Sequence, residues 1–544
     1  MIAILTRSSG FFRTLLRMIA GAYFSVSSKF LIREKAVDAQ DWKHRRAETL
    51  WKEAVDLQSS GLFKKSLAKW LDSAKFEADS SDPRLDFLAH VYNEIGYCNY
   101  QTLNYQESRR YYELALDTYK KISIFHGANS AYTMNNFALL LLEIGEETRA
   151  AQHVLDALKI LEKKTGKNSP LLTYVLNNLA RIRIHQKRYS EGEQVLLRAL
   201  DVENKMMVGG SPEVVTTLEL LAIVSFHLKK IDQSEGYFLK VVEMREQARG
   251  FDHKSVAPAL YSLGGFYADV GNYEKAEQAF YRCRDILSIN YGPDHRFSGV
   301  FLNQLGWVAV QKQRLNEARS LFDRAVEIGE RYGNKHRIDL AVSLYNSGLL
   351  DWMQNSDELA GQKLFRSLAL FSSISNKAYL PIIHYGVCVL LDQKGRIELS
   401  LFFGKLSLRD SLRRRGSGAA KTVFPRWLLY PPNNIVSVMK SLFERSGRQL
   451  EAEAFFGSGS ASAVSRFFSK ESKSAMKWNR DEQVWADGYE KWSKQARIWG
   501  ENQDRPEQEP DEAAVARAGY QSLNEVVEGF ASLLESFESR SASA

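Results

Sequence analysis

The chain has 544 residues, 44% hydrophobic and 25% charged, the balance of a folded soluble protein rather than a disordered one. Its net charge of +8 is the difference between 73 basic and 65 acidic residues that are mostly interspersed, which argues against a nucleic-acid binder with a concentrated positive stripe. Cys98, Cys283 and Cys388 lie far apart without metal-ligand spacing and read as buried thiols in a reducing compartment. No run of about 18 uncharged apolar residues offers an ordinary membrane-spanning helix.

Residues 1–40 form a separate basic segment. Its first 33 residues carry Arg7, Arg13, Arg17, Lys29 and Arg33 and no acid, with Phe11, Phe12, Leu15, Leu16, Ile19 and Phe24 among them. Three readings stay open: an amphipathic helix capping the array that begins near residue 41, an organelle transit peptide, and a secretion signal or membrane-surface anchor. The first places the protein in the cytoplasm and the second in an organelle such as the mitochondrion.

From about residue 41 to 378 the sequence repeats. A small residue falls at Ala54, Gly96, Ala138, Ala180, Ala222, Gly264, Gly306 and Gly348, every interval being 42 residues. Seven past this marker is a turn position (Gly61, Leu103, Gly145, Lys187, Lys229, Gly271, Gln313, Asn355). Twelve past it is a second small residue, such as Ser66, Ser108 or Ser234. Sixteen past it is usually a bulky one, such as Trp70, Tyr112, Phe280 or Phe322. Small residues at two points let a pair of helices approach closely, and the bulky residue fills the remaining gap. Each unit is therefore a helical hairpin, and Pro83, Pro170, Pro212 and Pro293 fall between hairpins. Residues 379–460 hold degenerate units, a ninth centred on Cys388 with Gly395 and Ser400, and a tenth centred on Lys440 with Gly447, Ala452 and Phe456.

The runs Asn177-Asn178-Leu179-Ala180, Arg188-Tyr189, Gly192-Glu193 and Arg198-Ala199-Leu200 resemble the tetratricopeptide repeat of the kinesin-light-chain type, as does Gly271-Asn272-Tyr273-Glu274-Lys275-Ala276-Glu277. Tyr291-Gly292-Pro293-Asp294-His295 is similar to the linker that lengthens those repeats to 42 residues. The resemblance covers roughly residues 45–410 and extends to the repeat domain only, because the long N-terminal heptad region of kinesin light chains is missing. It implies an all-α, right-handed superhelical solenoid of eight clear hairpins plus one or two degenerate ones. It also implies a protein- or peptide-binding scaffold.

Helical geometry places the ligand face. One before the marker are core residues (Ile95, Phe137, Leu179, Leu221, Leu263, Leu305), and positions −3, +1 and +4 lie roughly opposite, toward the concave side of a stacked solenoid. These positions carry too many apolar groups for a solvated face. The expected peptide-binding residues are Asn93, Tyr97, Tyr100, Asn135, Leu139, Asn177, Arg181, Ile184, Asn303 and Trp307. The asparagines have the amide donors and acceptor to hold a peptide main chain, and groove asparagines serve that way in the family resembled. They are equally able to tie one hairpin to the next, and the apolar groups to pack on a helix of the same chain.

Residues 404–426 are basic, with Lys405, Arg409, Arg413, Arg414, Arg415, Lys421 and Arg426, and supply the alternative of a nucleic-acid-binding array. Gly416–Thr422 fails as a phosphate loop because Ala420 stands where the glycine before the lysine belongs. In residues 461–544, Trp478, Trp485, Trp492 and Trp499 stand seven apart, making one helical seam suited to packing on the end or in the groove of the solenoid. An acidic linker comes next, from Glu501 to Glu512, then a last helix from about Ala513 to Phe537. No catalytic or metal motif occurs, so the sequence reads as a binder without cofactor rather than an enzyme. Scattered histidines such as His253 and His295 read as structural.

Overall fold

The computed structural model describes residues 42–102, 104–122, 127–205, 212–295, 297–332, 337–374, 379–416, 435–448, 480–503 and 523–541. Every regular element among them is a helix. They fall into two compact units, residues 42–251 and 252–541. In the first, five hairpins come in order: α1 (Trp42–Ser59) with α2 (Phe63–Ala78), α3 (Leu85–Gln101) with α4 (Tyr105–Lys121), α5 (Ala128–Glu143) with α6 (Glu147–Thr165), α7 (Leu171–His185) with α8 (Tyr189–Lys205), and α9 (Pro212–His227) with α10 (Ile231–Arg249). The second has four more: α11 (Val256–Asp269) with α12 (Tyr273–Tyr291), α13 (Ser298–Gln311) with α14 (Leu315–Tyr332), α15 (Arg337–Met353) with α16 (Asp357–Ser372), and α17 (Leu380–Gln393) with α18 (Ile397–Gly416). Three further helices complete it, α19 (Ile435–Arg445), α20 (Arg480–Gln503) and α21 (Leu523–Ser541).

The 42-residue ruler accounts for the packing. The turn position has positive φ at Gly61, Gly145, Lys187, Lys229, Gly271, Gln313 and Asn355, and again at Gly395 and Gly447. There the chain leaves the first helix by a left-handed residue whose N–H returns to the helix, as Lys187 N does to Ile184 O at 2.9 Å. Four of these positions are not glycine and carry the strain a Cβ brings in that region. Leu103, Ala452 and Phe456 lie outside the described residues.

Within each hairpin the two small residues meet. The hydroxyls of Ser66, Ser108, Ser234 and Ser400 donate to the marker carbonyls of Ala54, Gly96, Ala222 and Cys388 at 2.7–2.8 Å. The bulky residue lies against the marker. A Cβ added to Gly96, Gly264 or Gly306 would fall 2.8, 2.7 or 2.5 Å from the rings of Tyr112, Phe280 and Phe322. Those glycines are where the rings need the space, and the hairpins with alanine markers reach the same packing by other combinations, such as Ala138 with Val154.

Successive first helices touch one another in both units, whereas successive second helices are farther apart. Within each unit the first helices thus form the inner side and the second helices the outer one. Ion pairs one hairpin apart decorate the outside, among them Arg109–Glu146, Arg198–Glu162 and Arg314–Glu277. This explains why acids and bases are so evenly mixed. The three thiols are buried, as expected, and desolvation pushes Cys98, Cys283 and Cys388 up, Cys388 to about 12, so they remain inert.

The described part of the tryptophan seam packs on the last two hairpins of the second unit. Trp485, Tyr489 and Trp492 are buried. Trp485 meets the ring of Phe402, Trp492 Nε1 donates to Val526 O at 2.9 Å, and the Tyr489 hydroxyl lies 2.7 Å from His384 Nε2. Trp478 and the side chain of Trp499 lie outside the described residues. Because α20 and α21 lie chiefly against the second helix α16 and the aromatics of α18, their described parts do not fill the inner side. The aromatic residues Phe365, Phe402 and Phe403 draw them to the outer one.

Candidate peptide-binding face

The structure brings the ten expected residues to the first helices, but to two depths. Asn93, Tyr97, Asn135, Asn177, Ile184 and Asn303 are buried, while Tyr100, Leu139, Arg181 and Trp307 are half-buried. The first six are deeper than a groove lining because adjacent first helices touch and cover what lies between them.

The asparagines take partners within the chain. Asn136 Nδ2 donates to Asn93 Oδ1 at 3.3 Å, Asn178 Nδ2 to Asn135 Oδ1 at 3.1 Å and Asn346 Nδ2 to Asn303 Oδ1 at 3.0 Å, and Gln304 Nε2 donates to the Tyr261 hydroxyl at 2.7 Å. In each case position −2 of one hairpin bonds position −3 of the hairpin before it. Thr217 takes the same role toward Asn177 Oδ1 at 3.0 Å. The remaining amide donors are also used: Asn93 Nδ2 on Glu94, Asn177 Nδ2 on Glu213 O, and Asn303 Nδ2 on Ser343 and Gly299 O. Asn135 is the exception, its Nδ2 being buried without a hydrogen-bond partner among the described residues. Position −2 escapes reasoning that treats one helix at a time, although Asn136, Asn178, Gln304 and Asn346 each stand 43 residues after a polar residue at −3. That offset of one beyond the repeat is the signal of a ladder between neighbours.

What remains open on the inner side of the first unit is aromatic and nearly uncharged. Tyr100, Tyr132, Leu139, Leu142, Tyr174, Arg181 and Phe226 are half-buried. Tyr100 packs on Tyr105 with centroids 6.1 Å apart, and the Tyr174 hydroxyl donates to Asn136 Oδ1 at 3.3 Å. Burial lowers His90 to about 4 and pushes the Glu94 carboxyl up to about 8 against the opposing hydrogen bonds from Gln58 and Asn93. Both are therefore largely neutral near pH 7. Arg181 is a half-buried cation with no ion pair or hydrogen bond among the described residues. In the second unit the matching side is more closed, and Trp307 rests edge-on against Tyr273 at 6.0 Å.

The basic stretch is described at Lys405 and Arg409, the side chains of Arg413, Arg414 and Arg415 lying outside the described residues. Lys405 is buried, with its ammonium 5.5 Å from the Phe443 ring centroid, and residues 417–426 lie outside the described residues, as do residues 1–41. His253 and His295 accept local N–H groups, Ser255 N at 3.2 Å and Phe297 N at 3.4 Å, and His295 stacks on Tyr291. Among the described residues no group of three or more His, Cys, Asp or Glu side chains is arranged to hold a metal, and no helix is long and apolar enough to cross a membrane.

Comparison with known proteins agrees with the repeat. Two family profiles, both described as tetratricopeptide repeat, match residues 87–163 and 255–318, and residues 214–254. No curated protein sequence matches the chain. Among solved structures it is similar to kinesin-light-chain-like, nearly identical TPR-like repeats of Podosopora anserina, at 16% identity and TM-score 0.34, over 38% of this chain and 97% of that one. It is also similar to a Rap protein complexed with competence and sporulation factor, at 14% identity and TM-score 0.39, over 69% of this chain and 99% of that one. A third is YrrB, a TPR protein with an unusual peptide-binding site, at 19% identity and TM-score 0.25, over 36% and 86%. With the 42-residue hairpins and the two matching profiles together, the chain is a tetratricopeptide repeat protein.

Proposed function

We propose that the protein is a non-catalytic scaffold that holds a partner protein through an extended segment laid along the inner side of its first unit. The observation that carries this reading is the row of half-buried aromatic and aliphatic groups at Tyr100, Leu139, Leu142, Tyr174 and Phe226, with Arg181 among them. A surface so apolar, on successive helices, is the usual mark of a binding face. The asparagine ladder stiffens it. Asn93, Asn135, Asn177 and Asn303 act by fixing the spacing of hairpins. Tyr100, Leu139 and Arg181 make the side-chain contacts, and Trp307 has the equivalent place in the second unit.

The test is calorimetric. Peptides that bind the full chain on an unbiased peptide array are titrated into the wild-type protein and into Tyr100→Ala, Leu139→Asp and Arg181→Glu variants. Loss of at least tenfold in affinity with unchanged helicity supports the assignment. Equal affinity for all four proteins refutes it.

A further inference from the structure

The second helices carry a pattern of their own. Seventeen past the marker stand Leu155, Leu197 and Leu239, on the three consecutive second helices α6, α8 and α10. They are 38%, 46% and 46% exposed. A single exposed leucine needs no explanation, but three at one register position on neighbouring helices form a row. Polar residues bound the row in the hairpin before it, where Glu113 pairs with Arg109. In the second unit, Tyr281 at this position bonds Glu317 and Asp323 pairs with Lys363.

The same position in the eighth hairpin is Phe365, and there the chain supplies a cover. Phe530 of α21 meets the Phe365 ring at 5.3 Å, edge to face, and is itself fully buried. Val526 and Leu534, four residues to either side on α21, are buried too. The occupant is an amphipathic helix that places an apolar i, i+4, i+8 stripe across outer second helices, which stand far enough apart to accept it.

We propose that the Leu155–Leu197–Leu239 row is a second docking surface, taking an amphipathic helix of a partner protein with an aromatic residue in the middle of its apolar stripe. It is independent of the inner face, so a scaffold of this design holds two partners at once, an extended segment inside and a helix outside. Chemistry identifies the occupant: where the same register position is covered in this chain, the cover is such a helix.

The probe is a fluorescent peptide of residues 523–541, titrated into the full chain and followed by anisotropy. Binding is expected, weakened at least tenfold by L155E/L197E/L239E, and unchanged by Phe365→Ala. Absence of binding overturns the proposal. So does binding that survives the triple substitution or vanishes with Phe365→Ala, since the peptide is then exchanging with the chain's own helix. Sedimentation of the full chain adds a further arm: dimerisation abolished by the triple substitution assigns the row to a second copy and also overturns it. Far-ultraviolet circular dichroism checks that the variants fold. None of these outcomes depends on the inner-face residues, so the two readings fail separately.

Discussion

Gly306→Ala tests the hairpin geometry at its tightest point. The new methyl would lie 2.5 Å from Phe322 Cε1, 2.8 Å from Cδ1 and 2.9 Å from Cζ, where ordinary carbon contacts are about 3.5–4.0 Å. The ring is fully buried, so it must retreat by about 1 Å or push α13 and α14 apart. Overpacking of this kind costs about 1–3 kcal/mol. Alanine recovers about 1 kcal/mol of helix propensity over glycine. The expected net loss is about 0–2 kcal/mol, toward the upper end because the contact is so short. Ala222 already sits in the same relation to Phe238, so it is the helix separation in this hairpin that makes the glycine necessary. Phe322→Leu shortens the opposing side chain, and the double variant should show a favourable coupling of at least about 1 kcal/mol in a double-mutant cycle. Because stacked repeats need not unfold in one step, stability is read by hydrogen exchange in α13 and α14 alongside urea unfolding. If Gly306→Ala stabilises the hairpin on its own, or has the same effect with and without Phe322→Leu, the close approach of the ring to the marker is wrong.

The same geometry predicts three further outcomes. Ser108→Ala removes the donor to Gly96 O at 2.8 Å and should cost about 0.5–1.5 kcal/mol by urea unfolding, whereas Ser59→Ala at an exposed helix end should cost less. Lys187→Gly relieves a left-handed residue with φ 62° and should stabilise the fourth hairpin by about 1 kcal/mol, and a measured loss would contradict the turn assignment. Glu94 is held neutral by burial, with its pKa raised to about 8, so the unfolded chain gives up this proton at lower pH than the folded one. Its stabilising effect is complete below about 4.5 and disappears as pH rises through 8. Urea unfolding at pH 6.5 and pH 9 should therefore show a smaller fall for Glu94→Gln than for the wild type, a range that avoids the opposite titration of His90 at lower pH. Equal falls would mean that Glu94 is not buried as described.

Much of the architecture was legible because each hairpin contains the same solution to the same packing problem. The marker, the turn residue, the serine and the ring are local to one hairpin, and their spacing of 7, 12 and 16 residues is fixed by the two helices and one turn between them. The depth of the inner face was harder to read. A rotation of about 100° per residue says which side Asn135 or Tyr97 points to, but not how near the next first helix stands. Because those helices touch, Asn93, Asn135, Asn177 and Asn303 sit inside a ladder, and the open surface passes to Tyr100, Leu139 and Arg181. The tryptophan seam was recognisable as a packing surface, yet its destination depended on Phe365, Phe402 and Phe403, which nothing in a single repeat marks as different.

Hydrogen exchange across the full chain, with and without a peptide selected by its affinity for the wild-type protein, probes the inner face directly. Added protection is expected along α3, α5 and α7, centred on Tyr100, Leu139 and Arg181, and absent in the Arg181→Glu protein. Protection restricted to the second helices or the connecting turns would contradict a ligand on the inner side.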